Sequence, residues 1–206
     1  MLYGLDMTPS RRLGCAVALV AAGTLLPVVP AAQATPSDRA DLTEDATYTP
    51  ASDPRTVIAA PDEKLTDIVS TFISYKKRYV VAEIEARDVG RQVFPWVRVR
   101  GEGADITYVG LRGNGTRVRG FRLTDGGTKY FPCERARRTV DTKTNVYRLR
   151  IPASCFGTPF RLDVGAALGR ETVQDGERRF YVDDASDDPG RFAHPRLSSV
   201  VRQDRH

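Results

Sequence analysis

From Thr56 onward, apolar and polar residues alternate with a period of two over most of the chain. This pattern constrains the fold more than any other feature. Successive side chains of an extended strand point to opposite faces, whereas a helix brings a face round only every 3.6 residues or so. "DIVSTFISY" and "RYVVAEIEARDV" flank the short turn "KK" and read as a hairpin. In the second of these, Val80, Ala82, Ile84 and Ala86 share one face, and Tyr79, Val81, Glu83 and Glu85 the other. "FPWVRVRGE" sets Phe94, Trp96, Arg98 and Arg100 opposite Val97 and Val99. "DITYVGLR" and "TRVRGFRL" flank "GNG", a turn suited to positive φ. Phe160, Leu162, Val164, Ala166 and Leu168 alternate without a fault, and "RRFYVDD" closes the series. About nine strands recurring roughly every 8–12 residues predict an all-β fold, an antiparallel β-sandwich of jelly-roll-like type, over residues 55–186. No segment carries a convincing helical period.

A lone cysteine after a strand-breaking proline raises a separate question. "YRLRIPASCFG" ends a strand at Pro152 and places Cys155 in the turn beyond it. "RARRTVD" and "NVYRLRI" read as a hairpin about "DTKTN". A midpoint at Lys143 sets Cys133 opposite Ala153, two residues from Cys155, so a bulge or turn joins the sulfurs across the open end. A Cys133–Cys155 disulfide is expected. A redox-active pair or a metal site is the alternative, disfavoured by the lack of a C-x-x-C spacing and of a nearby histidine.

The N-terminus bears on compartment. Arg11 and Arg12 precede the apolar run "LGCAVALVAAGTLL", Pro27 and Pro30 interrupt it, and "AQA" at Ala32–Ala34 is a small-x-small cleavage signal. The two prolines argue against a membrane anchor, which needs roughly 20 uninterrupted apolar residues. Residues 1–34 therefore read as a cleaved signal peptide, and the mature protein as secreted and extracellular, with no membrane insertion. Cys15 lies inside the apolar run, so only Cys133 and Cys155 survive cleavage, an even pair suited to an oxidising compartment. Residues 35–54, polar, acidic and proline-containing, read as a disordered spacer, and residues 187–206 as a mobile tail.

Charge is unevenly placed. The formal net charge is +5, yet residues 35–54 hold five acids and one base, and residues 55–182 hold 24 bases and 15 acids. A basic domain attracts polyanions such as nucleic acid, an anionic cell-wall polymer or lipid headgroups. The arginines are scattered, with no basic run longer than "KKR" at Lys76–Arg78, and read first as a solvated surface. No nucleic-acid partner is expected.

The export signal, the early hairpin and "YRLRIPASCFGTPFRLDVGA" together resemble a broad group of small secreted actinobacterial proteins. Their pattern is a strand ending Ile-Pro-x-x-Cys-Leu-Gly, with Phe156 here in place of the leucine. The strand series is more distantly similar to the sandwich of DOMON-type and carbohydrate-binding modules, by architecture alone. Neither resemblance implies a catalytic residue or a cofactor.

Chemistry is sparse. Histidine occurs only at His194 and His206, both in the tail, a poor platform for a triad or a metal. Glu83 and Glu85 point one way from one strand at a spacing compatible with a glycosidase pair, and equally with any solvated strand face. Asp183, Asp184, Asp187 and Asp188, with Asp62 or Asp67, offer oxygen ligands for calcium but lack an ordered loop spacing. The favoured ligand-binding residues are Phe94, Trp96, Arg98 and Arg100, which combine aromatic stacking with guanidinium forks on one strand. Against this stands the use of Trp96, the only tryptophan, as a core plug. The expectation is a non-catalytic binder of an extracellular polysaccharide or anionic polymer. A secreted hydrolase using exposed carboxylates and a structural or partner-binding module stand as alternatives.

Overall fold

Two antiparallel sheets pack face to face, and the period-two segments supply both. The structure is a computed structural model that describes residues 37–40, 46–53, 56–111, 116–124, 127–186 and 195–203. In chain order the strands are β1 (Ser37–Ala40), β2 (Thr47–Pro50), β3 (Ile58–Ala59), β4 (Ile68–Lys76), β5 (Tyr79–Ala86), β6 (Val93–Gly101) and β7 (Ala104–Gly110). There follow β8 (Val118–Thr124), β9 (Gly127–Phe131), β10 (Arg137–Asp141), β11 (Val146–Pro152), β12 (Arg161–Gln174), β13 (Glu177–Asp184) and β14 (Ser199–Arg202). The small sheet runs β1-β4-β5-β11-β10 and the large sheet β3-β2-β13-β12-β6-β7-β8-β9, with β14 beside the start of β12. The expected sandwich and its single disulfide are both present, and no α-helix occurs among the described residues.

The core lies between the sheets. Val80, Ala82, Ile84, Tyr147, Leu149 and Ile151 of the small sheet face Val97, Val99, Leu162, Val164 and Leu168 of the large one, all buried. Burying a large aliphatic side chain contributes about 1.5–3 kcal/mol, so this double layer is the main stabilising element. Alternation admits one surprise. Arg138 of β10 stands opposite Leu149, so it also points inward and is 2% exposed. Its Nη1 donates to the Leu111 carbonyl at 2.8 Å and its Nη2 to that of Val93 at 3.3 Å, while burial lowers its pKa. The reading of the arginines as a solvated surface fails at this position.

Cys133 and Cys155 are joined, with Cα atoms 5.7 Å apart. The hairpin register pairs Asp141 with Val146 and Arg137 with Arg150, which sets Cys133 opposite Ser154, one residue from the expected position. Asn145 adopts φ 55° in the turn, which accounts for the extra residue. A 3-10 turn at Ala153–Cys155 then carries the second sulfur to the first.

Both ends of the domain depart from expectation. Residues 37–40 and 47–50, expected within a disordered spacer, are strands on β4 and β13. In the expected mobile tail, Ser199–Arg202 pairs with β12 and Val201 is fully buried. A sheet edge offers unpaired backbone groups to any extended segment, so these pairings need no apolar period. Residues 1–34, expected to be a signal peptide, residues 187–194 (with Asp187, Asp188 and His194) and His206 lie outside the described residues.

Candidate functional site

Phe94, Trp96, Arg98 and Arg100 share the outer face of the large sheet, as alternation requires. They do not offer a stacking ring. Trp96 is 3% exposed and packs with Ala167 and Val182, with Phe94 parallel to it at 6.5 Å between ring centroids. The cavity for the indole exists because Gly169 lacks a side chain; a Cβ there would lie 2.4 Å from the ring. The tryptophan is thus a core plug on the outer side of its sheet, which corrects its assignment as a binding residue. The arginines are engaged as well. Arg98 donates Nε and Nη2 to the two carboxylate oxygens of Asp105 at 2.8 and 2.7 Å. Arg100 donates Nε and Nη2 to Asp163 Oδ2 at 3.2 and 2.9 Å.

The carboxylate clusters also resolve into structural partners. Glu83 accepts from Arg148 Nε and Glu85 from Ser70 Oγ, both at 2.8 Å. Asp183 and Asp184 point to opposite faces of β13. Asp183 accepts the backbone N–H of Ile68 at 2.6 Å, and Asp184 that of Arg196 at 2.7 Å. Burial pushes the Asp184 carboxyl up, against the lowering effect of the Arg196 N–H. Asp67 pairs with Arg87. Among the described residues, no three His, Cys, Asp or Glu side chains are grouped to hold a metal ion.

The site that does emerge lies on the same sheet, two strands from β6, where the register runs from Trp96 through Val109 to Arg119. A cavity of about 630 Å³ opens between β8, β9 and the loop running from Pro132 to Ala136. The disulfide anchors this loop, and Cys133 forms part of the cavity wall. Arg117, Arg119, Tyr130, Phe131 and Arg137 supply most of its chemistry. Tyr130 is 61% exposed, and the Arg119 guanidinium sits 5.5 Å from its ring centroid. Arg122 and Lys129 approach the Phe131 ring at 5.6 and 5.8 Å. Nη1 of Arg137 donates to the carbonyls of Glu134 and Ala136, which orients the group. Among the described residues, Arg117, Arg119 and Arg137 form no ion pair with a carboxylate. An oriented guanidinium beside an exposed aromatic ring binds oxyanions in bidentate fashion and sugar or apolar faces by stacking.

Sequence reasoning missed these residues. "TRVR" shows Arg117 and Arg119 on one strand face, and "RARR" lies just beyond Cys133. Only the pairing of distant strands brings the two segments together, through the Arg117–Arg137 bridge. Comparison with protein-family models, curated proteins and solved structures found no match. The fold and the site together define an antiparallel β-sandwich with a basic, aromatic corner stapled by a disulfide.

Proposed function

We propose that the protein is an exported, non-catalytic β-sandwich that binds an anionic extracellular or cell-wall polymer, polysaccharides included. The observation that carries this reading is the corner cavity, where arginines without carboxylate partners among the described residues flank the exposed Tyr130. The disulfide suits an oxidising compartment. Cleavage after Ala34 would leave β1, which begins at Ser37, intact in the mature chain.

The test is retention of the secreted, oxidised protein on an insoluble anionic wall-polysaccharide fraction. Its N-terminus, read by sequencing, is expected at Thr35. Arg117→Gln with Arg119→Gln is expected to reduce retention about tenfold at low salt, less at high salt, with circular dichroism unchanged. If the double variant is retained as well as the wild type, the corner is not the site. If the wild type is not retained by any anionic fraction, the binding function itself is wrong.

A further inference from the structure

The corner continues beyond its cavity. Arg117 forms an antiparallel bridge with Arg137, and Arg137 is the register partner of Arg150 on β11. Residues directly opposite in antiparallel pairing project from the same face, about 5 Å apart. Arg117, Arg137 and Arg150 therefore form one row, perpendicular to the strands, crossing from the large sheet to the small one. All three are exposed, and none forms an ion pair with a carboxylate among the described residues. Beyond Arg150 the row continues as Val81 and Ser74, so its charge ends there. The Arg150 guanidinium lies 3.9 Å from the Tyr79 ring centroid, which holds it in place at the end of the row.

The geometry points to a linear chain of phosphate groups as the ligand, laid across the strands from the cavity over Arg117, Arg137 and Arg150. This rests on the anionic-polymer reading and narrows it. The molecule shows two ways in which a carboxylate meets arginine: both oxygens of Asp105 accept from the single fork of Arg98, whereas Asp163 lies between Arg100 and Arg161. Arginines about 5 Å apart need charged acceptors at that same short interval, and a polyuronate carries its carboxylates a whole sugar ring apart. Successive units of a linear polyphosphate are joined through a single oxygen, so a charged unit with two outward oxygens falls opposite every guanidinium of the row. Like charges opposed across strands repel, and a bound polyanion removes that repulsion. The charged row is roughly 10 Å long, which a run of about three phosphates covers.

The test uses the oxidised, full mature protein and titration calorimetry with orthophosphate, tripolyphosphate, long-chain inorganic polyphosphate and polygalacturonate. Affinity is expected to rise at least about tenfold from orthophosphate to tripolyphosphate, and to exceed that for polygalacturonate of matched charge. Arg150→Gln, which lies outside the cavity lining, is expected to weaken tripolyphosphate about fivefold and to lower the salt slope of long-chain binding by about one. If Arg117→Gln weakens binding and Arg150→Gln does not, the row is overturned and the cavity stands. Binding of polygalacturonate but not polyphosphate overturns the phosphate assignment and leaves the anionic-polymer reading in place. Tighter capture of oligothymidylate of matched charge overturns it in favour of nucleic acid. Binding of none of these probes removes both readings.

Discussion

The outer face of β6 and the corner at β8 and β10 both carry arginines on strands, but only the first supplies them with carboxylates. Arg98 and Arg100 are clamped to Asp105 and Asp163 from neighbouring strands β7 and β12. Arg117, Arg137 and Arg150 stand against one another instead. Opposed like charges on a sheet cost about 0.2–1 kcal/mol per pair, so the second arrangement does nothing for folding. The difference teaches that arginine content alone carries no functional meaning in this chain. Compensation separates a cation used for architecture from one available to a ligand.

The sharpest way to break this comparison is Trp96→Ala, beneath the compensated face. It is expected to destabilise the domain by about 4 kcal/mol, read as a fall in thermal midpoint, because a buried ring leaves a large void. An unchanged midpoint would restore the β6 face as a ligand site. Next in size is removal of the staple under the uncompensated corner. Cys133→Ser with Cys155→Ser opens a crosslink of sequence separation 22, and the denaturation free energy is expected to fall by about 3 kcal/mol. Equal midpoints for the oxidised protein and the variant would mean that the loop from Pro132 to Ala136 is held by other contacts. The smallest effect compares the arginines directly. Arg98→Gln is expected to cost about 1 kcal/mol, since it strips Asp105 of its fork, whereas Arg117→Gln is expected to gain about 0.5 kcal/mol by relieving repulsion. Matching losses in urea titrations of the two variants would erase the distinction.

Alternation made the sandwich legible because the two faces of a strand are fixed locally. Val80, Ala82, Ile84 and Ala86 face the core as their spacing requires. The cysteine pair was legible for the same reason, through a hairpin, and missed its register by one residue because the φ of Asn145 is invisible in composition. What was illegible depends on partners far along the chain. Periodicity placed Trp96 on the correct face, but its burial depends on Gly169 and Val182, far along the chain in a separate hairpin. β1 and β2 form by edge pairing in a polar segment without an apolar period. The arginine row exists only where β10, β11 and the residue just before β8 meet.

The sealing of the domain by its two ends bears on when it can fold. β1 completes an edge of the small sheet on β4, and the segment after β14 bridges the same strand through Gln203 and Tyr75. Just before β14, the chain crosses so close to Gly165 that a Cβ there would lie 1.6 Å from the Arg196 carbonyl oxygen. Contacts of such long sequence separation form late and slowly. A nascent chain still lacking residues 195–203 has an unsealed interior and no finished native state. Final closure of the domain therefore waits until that segment is made.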